Sequence, residues 1–206
     1  MGGRWCDKVC DDMILSPLSD SQERLNEVCC RGNCYLPSFK LSPLTPTPSR
    51  ITLSLSKGWN LISSPLKAPL TLSKIEEFCS LEDYGGRKMW AYDPARGWSN
   101  PEQVGPDEGV YVYAKEPCTI TLEGEPAEFT SKELKKGWNV ISVGNISLEE
   151  VRGNCRIASK VWELKEGEWV VHGLDEVLDG RKGYWIMVED DCRLERNVHP
   201  PFPEFG

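Results

Sequence analysis

Short runs in which apolar and polar residues alternate dominate the chain after residue 50. Residues 51–55 read ITLSL, a Lys-Gly turn signal follows, and a second strand is expected from Trp59 to Ile62. Further strands are expected at residues 88–92, 110–114 and 119–122, and another begins at Trp98. Helical spacing is confined to residues 71–79, with Ser73 as the expected N-cap, and to their counterpart at 147–151. The pattern predicts a mainly β protein with two short helices.

The chain contains a tandem repeat. Residues 55–63 read LSKGWNLIS and residues 134–142 read LKKGWNVIS, identical at seven of nine positions with an offset of 79. Downstream, the equivalent pairs are Cys79 and Cys155, Trp90 and Trp162, Trp98 and Trp169, Gly109 and Gly183, and Cys118 and Cys192. The spacing between these pairs differs slightly, and we place the length differences in loops. Each copy is expected to form one small β-domain.

The repeat divides the sequence into five segments. We assign residues 1–40 to a Cys-rich arm, 41–50 to a Pro/Thr/Ser linker, 51–126 and 127–196 to the two β repeats, and 197–206 to a Pro-rich tail. The expected fold is therefore two small β-domains in tandem, sandwich-like or barrel-like, each with one short helix. A unit of this size has a thin core, so we expect a covalent staple in each.

The repeat suggests how four of the nine cysteines pair. If both copies share one fold, Cys79 and Cys118 occupy the same places as Cys155 and Cys192. We therefore predict the disulfides Cys79–Cys118 and Cys155–Cys192, each contributing roughly 4 kcal/mol in the chain-entropy model. The alternative is four buried free cysteines.

The arm holds the other five cysteines, and their spacing resembles a twin CX3C hairpin. Cys6 and Cys10 are four residues apart, as are Cys30 and Cys34. This spacing suggests a helical hairpin clamped by Cys6–Cys34 and Cys10–Cys30, with a four-thiolate zinc site as the competing interpretation. The odd cysteine, Cys29 in our assignment, is left as a free thiol or an interchain link.

Disulfides of this number indicate an oxidising location: a cell surface, the extracellular space or a hyperthermophile cytosol. The sequon Asn145-Ile146-Ser147 agrees with an exported chain and makes Asn145 a candidate glycosylation site. The first residues lack the apolar core of a signal peptide, so we expect either that a leader has been removed or that the chain stays inside.

The repeat motifs resemble a β repeat found in surface and extracellular proteins of archaea and some bacteria, with a consensus near L-GWN-IS-P…W…G-GYWV. The first copy matches at residues 58–63 and Pro65, and the second at 137–142 and 183–186, so the resemblance covers residues 51–196. The first copy has GVYV in place of GYWV, and the second lacks the usual proline. The resemblance implies a β-domain of an envelope or surface protein and no catalytic activity. The arm has no such match.

Charge and composition exclude several classes of function. The net charge of −8 and pI near 5.0 argue against binding nucleic acid, which needs clustered Lys and Arg. No apolar run approaches the length of a membrane span. Only two histidines are present, and no Walker loop, GxSxG or HExxH motif occurs, so we expect neither an enzyme nor a cofactor. A glycosidase carboxylate pair is not excluded by sequence.

The tryptophans admit two interpretations. Trp59 and Trp138 lie at identical motif positions in strands, and we interpret them as core residues. Trp98 and Trp169 adjoin turns and are the expected exposed pair, suited to stacking on sugars. The acidic clusters at 189–191 and 175–179 could bind Ca²⁺, but no EF-hand-like spacing supports this and a solvated face is the default.

We therefore expect a non-enzymatic extracellular structural protein, a subunit of a cell-surface filament or surface layer. It would assemble with itself or with other surface proteins through its arm and the edges of its β-domains. Lys40-Leu41 and residues 51–55 flank the segment that would add to a neighbour. The alternative is a carbohydrate-binding or adhesion module that uses exposed tryptophans.

Overall fold

The computed structural model describes residues 28–30, 33–35 and 49–196, with side chains described for 49–196. The chain divides into two units, Met1–Thr45 and Pro46–Gly206. Both β repeats lie in the second unit. Residues 41–48 of the expected 41–50 linker and the tail at 197–206 lie outside the described residues, as do Cys6 and Cys10 and with them the predicted pairings Cys6–Cys34 and Cys10–Cys30. The last two residues of the expected linker, 49 and 50, belong to the first strand of the repeat instead.

The described part of the arm is a pair of β-strands rather than the expected helical hairpin. Strands β1 (Val28–Cys30) and β2 (Asn33–Tyr35) pair antiparallel, with Cys29 opposite Cys34. Cys30 and Cys34 thus belong to two different strands instead of one helical turn. The sequence accounts for this, since Gly32 disfavours a helix and the β-branched and aromatic ends, Val28 and Tyr35, favour strands.

The first repeat consists of a four-stranded antiparallel sheet, a long two-stranded ribbon and a minor strand pair. Its elements are β3 (Ser49–Leu55), β4 (Gly58–Ile62), β5 (Leu70–Thr71), α1 (Leu72–Glu76), β6 (Met89–Asp93), β7 (Gly97–Ser99), β8 (Gln103–Val104), β9 (Val110–Ala114) and β10 (Cys118–Gly124). The sheet has the order β4-β9-β6-β7, the ribbon is β3–β10 and the minor pair is β5–β8.

The second repeat has the same sheet and the same ribbon. Its elements are β11 (Ser131–Leu134), β12 (Gly137–Ile141), β13 (Val161–Lys165), β14 (Glu168–His172), β15 (Tyr184–Val188) and β16 (Cys192–Glu195). The sheet has the order β12-β15-β13-β14 and the ribbon is β11–β16. Equivalent residues occupy equivalent positions: Tyr111 lies opposite Trp90 in the first sheet, and Trp185 lies opposite Trp162 in the second.

Each repeat buries its own apolar core. In the first, the ribbon contributes Leu53, Leu55, Ile120 and Leu122 and the sheet contributes Met89, Val110 and Val112. In the second, the corresponding groups are Leu134 and Leu194 from the ribbon and Ile141, Val161, Tyr184, Ile186 and Val188 from the sheet. The predicted mainly β class is confirmed, as a set of small open sheets rather than a closed barrel among the described residues.

A disulfide closes each core at the end of its ribbon. Cys79 is bonded to Cys118 and Cys155 to Cys192, at sequence separations of 39 and 37 residues. These are the two pairs that the repeat alignment predicts.

The expected pair of helices is only half present. The helix α1 is shorter than residues 71–79, and its N-cap is Thr71, whose hydroxyl accepts a hydrogen bond from the Lys74 N–H, rather than Ser73. The counterpart at residues 147–151 is a turn, not a helix. Gly153 follows it with a φ of 53°, in close approach to the Arg193 carbonyl, so the chain cannot continue helically.

The two repeats pack through equivalent residues, as in a two-fold symmetric dimer. Gly109 and Gly183 face each other, and a Cβ built on Gly109 would lie 3.1 Å from the Cα of Gly183. Leu61 packs on Gly183 and the equivalent Val140 packs on Gly109. The outer sheet faces are partly covered at this line of contact.

Matched hydrogen bonds complete the contact between repeats. The Ser63 N–H donates to the Arg181 carbonyl at 3.0 Å, and the equivalent Ser142 N–H donates to the Asp107 carbonyl at 3.2 Å. The Gly183 N–H also donates to the Leu61 carbonyl at 3.1 Å. Because both repeats contribute equivalent groups, the pair is one body with an approximate two-fold axis.

Candidate functional site

The outer face of the second sheet carries a groove made of tryptophan side chains. It is a shallow, open groove of about 390 Å³, lined by Trp138 on β12, Trp162 on β13, Trp169 on β14 and Trp185 on β15. Successive residues of a strand point to opposite faces, so these four face outward while their neighbours enter the core. We call this set the four-Trp groove.

Strand register assembles the four-Trp groove from separate parts of the sequence. Trp162 lies directly opposite Trp185, and Trp169 lies opposite Leu164 beside them. The Trp138 ring packs edge-on against Trp185, with 6.1 Å between centroids. Trp98 of the first repeat lies 6.4 Å from Trp185, so the aromatic surface continues across the junction.

The first sheet carries an aromatic cluster on its own outer face. Trp59 stacks on Tyr84 at 5.4 Å and meets Tyr113 edge-on at 5.4 Å. Such pairs add roughly 0.5–1.5 kcal/mol beyond the area they bury. The side chains of this cluster pack on one another.

Exposure separates the tryptophans differently from the expectation. Trp98 and Trp169 are exposed, at 56% and 50% of their surface. The interpretation of Trp59 and Trp138 as core residues is wrong: they are 37% and 41% exposed on the outer faces. The next residue of each strand, Asn60 or Asn139, points inward instead.

The side chains that line the groove offer hydrogen-bond donors but no acceptors. The Trp185 indole N–H donates to the Tyr111 hydroxyl across the junction between repeats. Burial raises the pKa of Tyr111 above its usual value, so this hydroxyl stays neutral and able to accept. The four lining side chains are all indoles, which donate hydrogen bonds and accept none. The groove therefore favours apolar and planar ligand surfaces.

A second cavity of about 540 Å³ lies where the two repeats and their connecting segment meet. Two charged residues of its wall are paired: Asp107 with Lys132 at 3.0 Å and Arg181 with Asp179 at 2.6 Å. Asn145, the candidate glycosylation residue, is exposed at this cavity and its side-chain oxygen accepts from the Gly180 N–H at 3.2 Å. Its amide nitrogen makes no hydrogen bond to a described residue.

A buried carboxylate in the second repeat forms a paired cluster. Glu163 accepts from the Lys182 ammonium and lies 2.8 Å from Nε2 of His172. Nδ1 of His172 lies 2.9 Å from Glu176. Both histidine nitrogens are thus occupied by carboxylates, and this cluster lies on the core side of the sheet, away from the four-Trp groove.

Except for Asp175, the acidic side chains considered for Ca²⁺ at 175–179 and 189–191 are engaged with basic or histidine side chains. Glu189 and Asp190 both contact Arg156, and Asp191 accepts from Lys135. Among residues 49–196, no group of three or more His, Cys, Asp or Glu side chains has a geometry that could hold a metal ion. No helix of the described chain has the length and apolar character to cross a membrane.

Comparison with known proteins gives no relative. Neither the family models, nor the curated proteins, nor the solved structures contain a significant match to this chain. The resemblance to surface-protein repeats stays a prediction from the motifs.

Three members of the four-Trp groove were missed as site residues from sequence: Trp138, Trp162 and Trp185. Once the strand register is known, Trp162 and Trp185 fall at outward positions of neighbouring strands, and this would indicate the groove. The register itself depends on long-range pairing that a single sequence does not state.

Proposed function

We propose that the chain is a non-enzymatic structural protein of a surface assembly, which associates through the outer faces and edges of its two β-sheets. The observation that carries this is the exposed apolar surface on those faces: Trp59, Trp98, Trp138, Trp169, Val171 and Met187 are all more than a third exposed. Contiguous exposed apolar patches mark interaction sites. Trp, Tyr and Met are also the side chains enriched at protein interfaces.

An oxidising location fits this proposal. Each repeat is closed by a disulfide, and such bonds persist outside reducing compartments. We accordingly place the protein at a cell surface or outside the cell, in a filament or layer whose geometry the arm would help to set.

The assembly of the oxidised full-length chain tests the proposal. Sedimentation and electron microscopy should show species larger than a monomer that grow with concentration. The variant Trp98→Ala/Trp138→Ala, which removes two exposed indoles, should shift the distribution toward monomer with an unchanged circular dichroism spectrum. A wild-type chain that sediments as a monomer throughout would end the proposal.

A second candidate function is carbohydrate binding, and the four-Trp groove favours it because indole faces stack on sugar rings. Against it, sugar hydroxyls need hydrogen-bond acceptors, and the indole lining provides none. Titration of oligosaccharides against tryptophan fluorescence tests it, with Trp162→Ala inside the groove and Trp90→Ala at the equivalent position of the first repeat. Quenching that is lost only in Trp162→Ala would support this function.

A further inference from the structure

The two four-stranded sheets together have four edge strands, and three of them are protected. β4 lies against β13 of the other repeat, and β12 lies against β6. β7 is only three residues long and is followed by Asn100 and Pro101, and short strands and prolines blunt an edge. The fourth edge, β14, has none of these protections.

β14 is a five-residue strand, EWVVH, whose outer edge is open. It pairs with β13 on one side, and its backbone forms no hydrogen bond to any other described segment. It contains neither lysine nor proline, and two of its side chains, Trp169 and Val171, are 50% and 46% exposed. An apolar edge strand that has no lysine or proline to block pairing is a template for another strand.

We propose that β14 pairs antiparallel with β14 of a second copy, around a two-fold axis through Val170. This inference rests on the proposed assembly function and names the contact that joins two subunits. The pairing would join the two second-repeat sheets into one sheet of eight strands. The four-Trp grooves of both copies would then lie on one continuous face, with Trp169 of each copy near the centre.

The sequence of β14 is complementary to itself in this register. Trp169 of each copy lies opposite Val171 of the other, an aromatic and β-branched combination that stabilises cross-strand pairs. Glu168 lies opposite His172, and Val170 lies opposite itself. In an isologous contact, each residue of the strand lies opposite a residue of the same strand in the other copy. In this register no two like charges lie opposite each other.

Charge reversal across the pair tests the contact in the full-length chain. The variants Trp169→Glu/Val171→Glu and Trp169→Lys/Val171→Lys each place like charges opposite each other in a homodimer. Each should dimerise roughly tenfold or more weakly than wild type, because facing like charges are repulsive. A one-to-one mixture of the two variants should regain the dimer, since opposite charges then face each other.

A matched control carries the same two charges elsewhere on an exposed strand. Thr52→Glu/Ser54→Glu substitutes two exposed residues of β3 at the same spacing and should dimerise like wild type. Sedimentation equilibrium measures all four proteins, and circular dichroism checks that each is folded. If the charged β14 variants assemble as wild type does, the β14 contact is wrong while the assembly function stands. If the mixture fails to regain the dimer, the contact is also wrong. A monomeric wild type overturns both.

Discussion

The asparagine shared by the two GWN motifs ties a tight turn to the strand that follows it. Asn139 is buried, and its oxygen accepts from the Lys135 N–H while its amide donates to the carbonyls of Lys135 and Gly137. Asn60 makes the same three bonds in the first repeat, to Ser56 and Gly58. The glycine in each turn has a φ of 101°, which a side chain would strain. Glycine and asparagine thus act together.

Replacement of this asparagine should therefore be costly. Asn139→Ala leaves three partly buried backbone groups of the turn without their partner, and we expect a loss of about 2–4 kcal/mol of unfolding free energy. The control is Asn100→Ala, which removes a single bond from an exposed side chain to the Met89 carbonyl. Urea denaturation of both variants measures the difference. Equal, small effects would show that the motif asparagine is not what holds the turn.

The same residues explain why Trp59 and Trp138 were misjudged from sequence. In the motif GWNLI, Trp59 shares a face with the buried Leu61, which suggested that this face is the core. Leu61 is buried because the other repeat covers it, and the polar Asn60 and apolar Ile62 face inward. The alternation was correctly identified, but the choice of inner face required the packing of two repeats, which no single motif reveals.

At the scale of elements, the segment that begins at Ser147 forms the capping box of a helix but continues as a turn, where a helix is expected. Glu150 accepts from both the backbone N–H and the hydroxyl of Ser147, and the Ser147 hydroxyl accepts from the Glu150 N–H at 3.3 Å. The sequence reveals the cap, but the helix it would start is stopped by the close approach of Gly153 to Arg193. A local signal was overridden by a distant strand.

The turn predicts a specific response to acid. The hydrogen bonds from the Ser147 backbone and hydroxyl lower the pKa of Glu150 below its usual 4.5. A lowered folded-state pKa stabilises the fold above the unfolded value and loses that contribution as the pH falls through the folded value. Glu150→Gln should therefore lose stability at neutral pH and depend less on pH below about 4.5. Thermal melts from pH 7 to pH 3 test this, with Glu149→Gln, which faces solvent and pairs only with Arg152, as the control. Parallel curves for wild type and Glu150→Gln would contradict the assignment.

At the scale of the whole molecule, the repeat made much of the fold predictable. Equivalent cysteines indicated both disulfides because two copies of one fold must pair the same positions. The mutual packing of the copies was not predictable, since Gly109 and Gly183 resemble ordinary glycines at the start of a strand. These two glycines differ from the others because they pack closely against each other across the axis, and this contact exists only when both repeats are folded.

This contact makes the repeat pair a single body, and an added methyl group tests it. Gly109→Ala would place its Cβ 2.5 Å from Val140 and 3.1 Å from the Cα of Gly183, and neither backbone nor a β-branched side chain yields easily. Overpacking of this kind costs about 1–3 kcal/mol. Gly105→Ala is the matched control, because its Cβ would meet only the carboxylate ends of two side chains, Glu108 at 3.2 Å and Asp107 at 3.4 Å. Calorimetry should show a lower melting temperature for Gly109→Ala alone. If the two repeats are instead only loosely joined, Gly109→Ala will melt like Gly105→Ala, and the aromatic surface that crosses the junction could not be a fixed feature of the molecule.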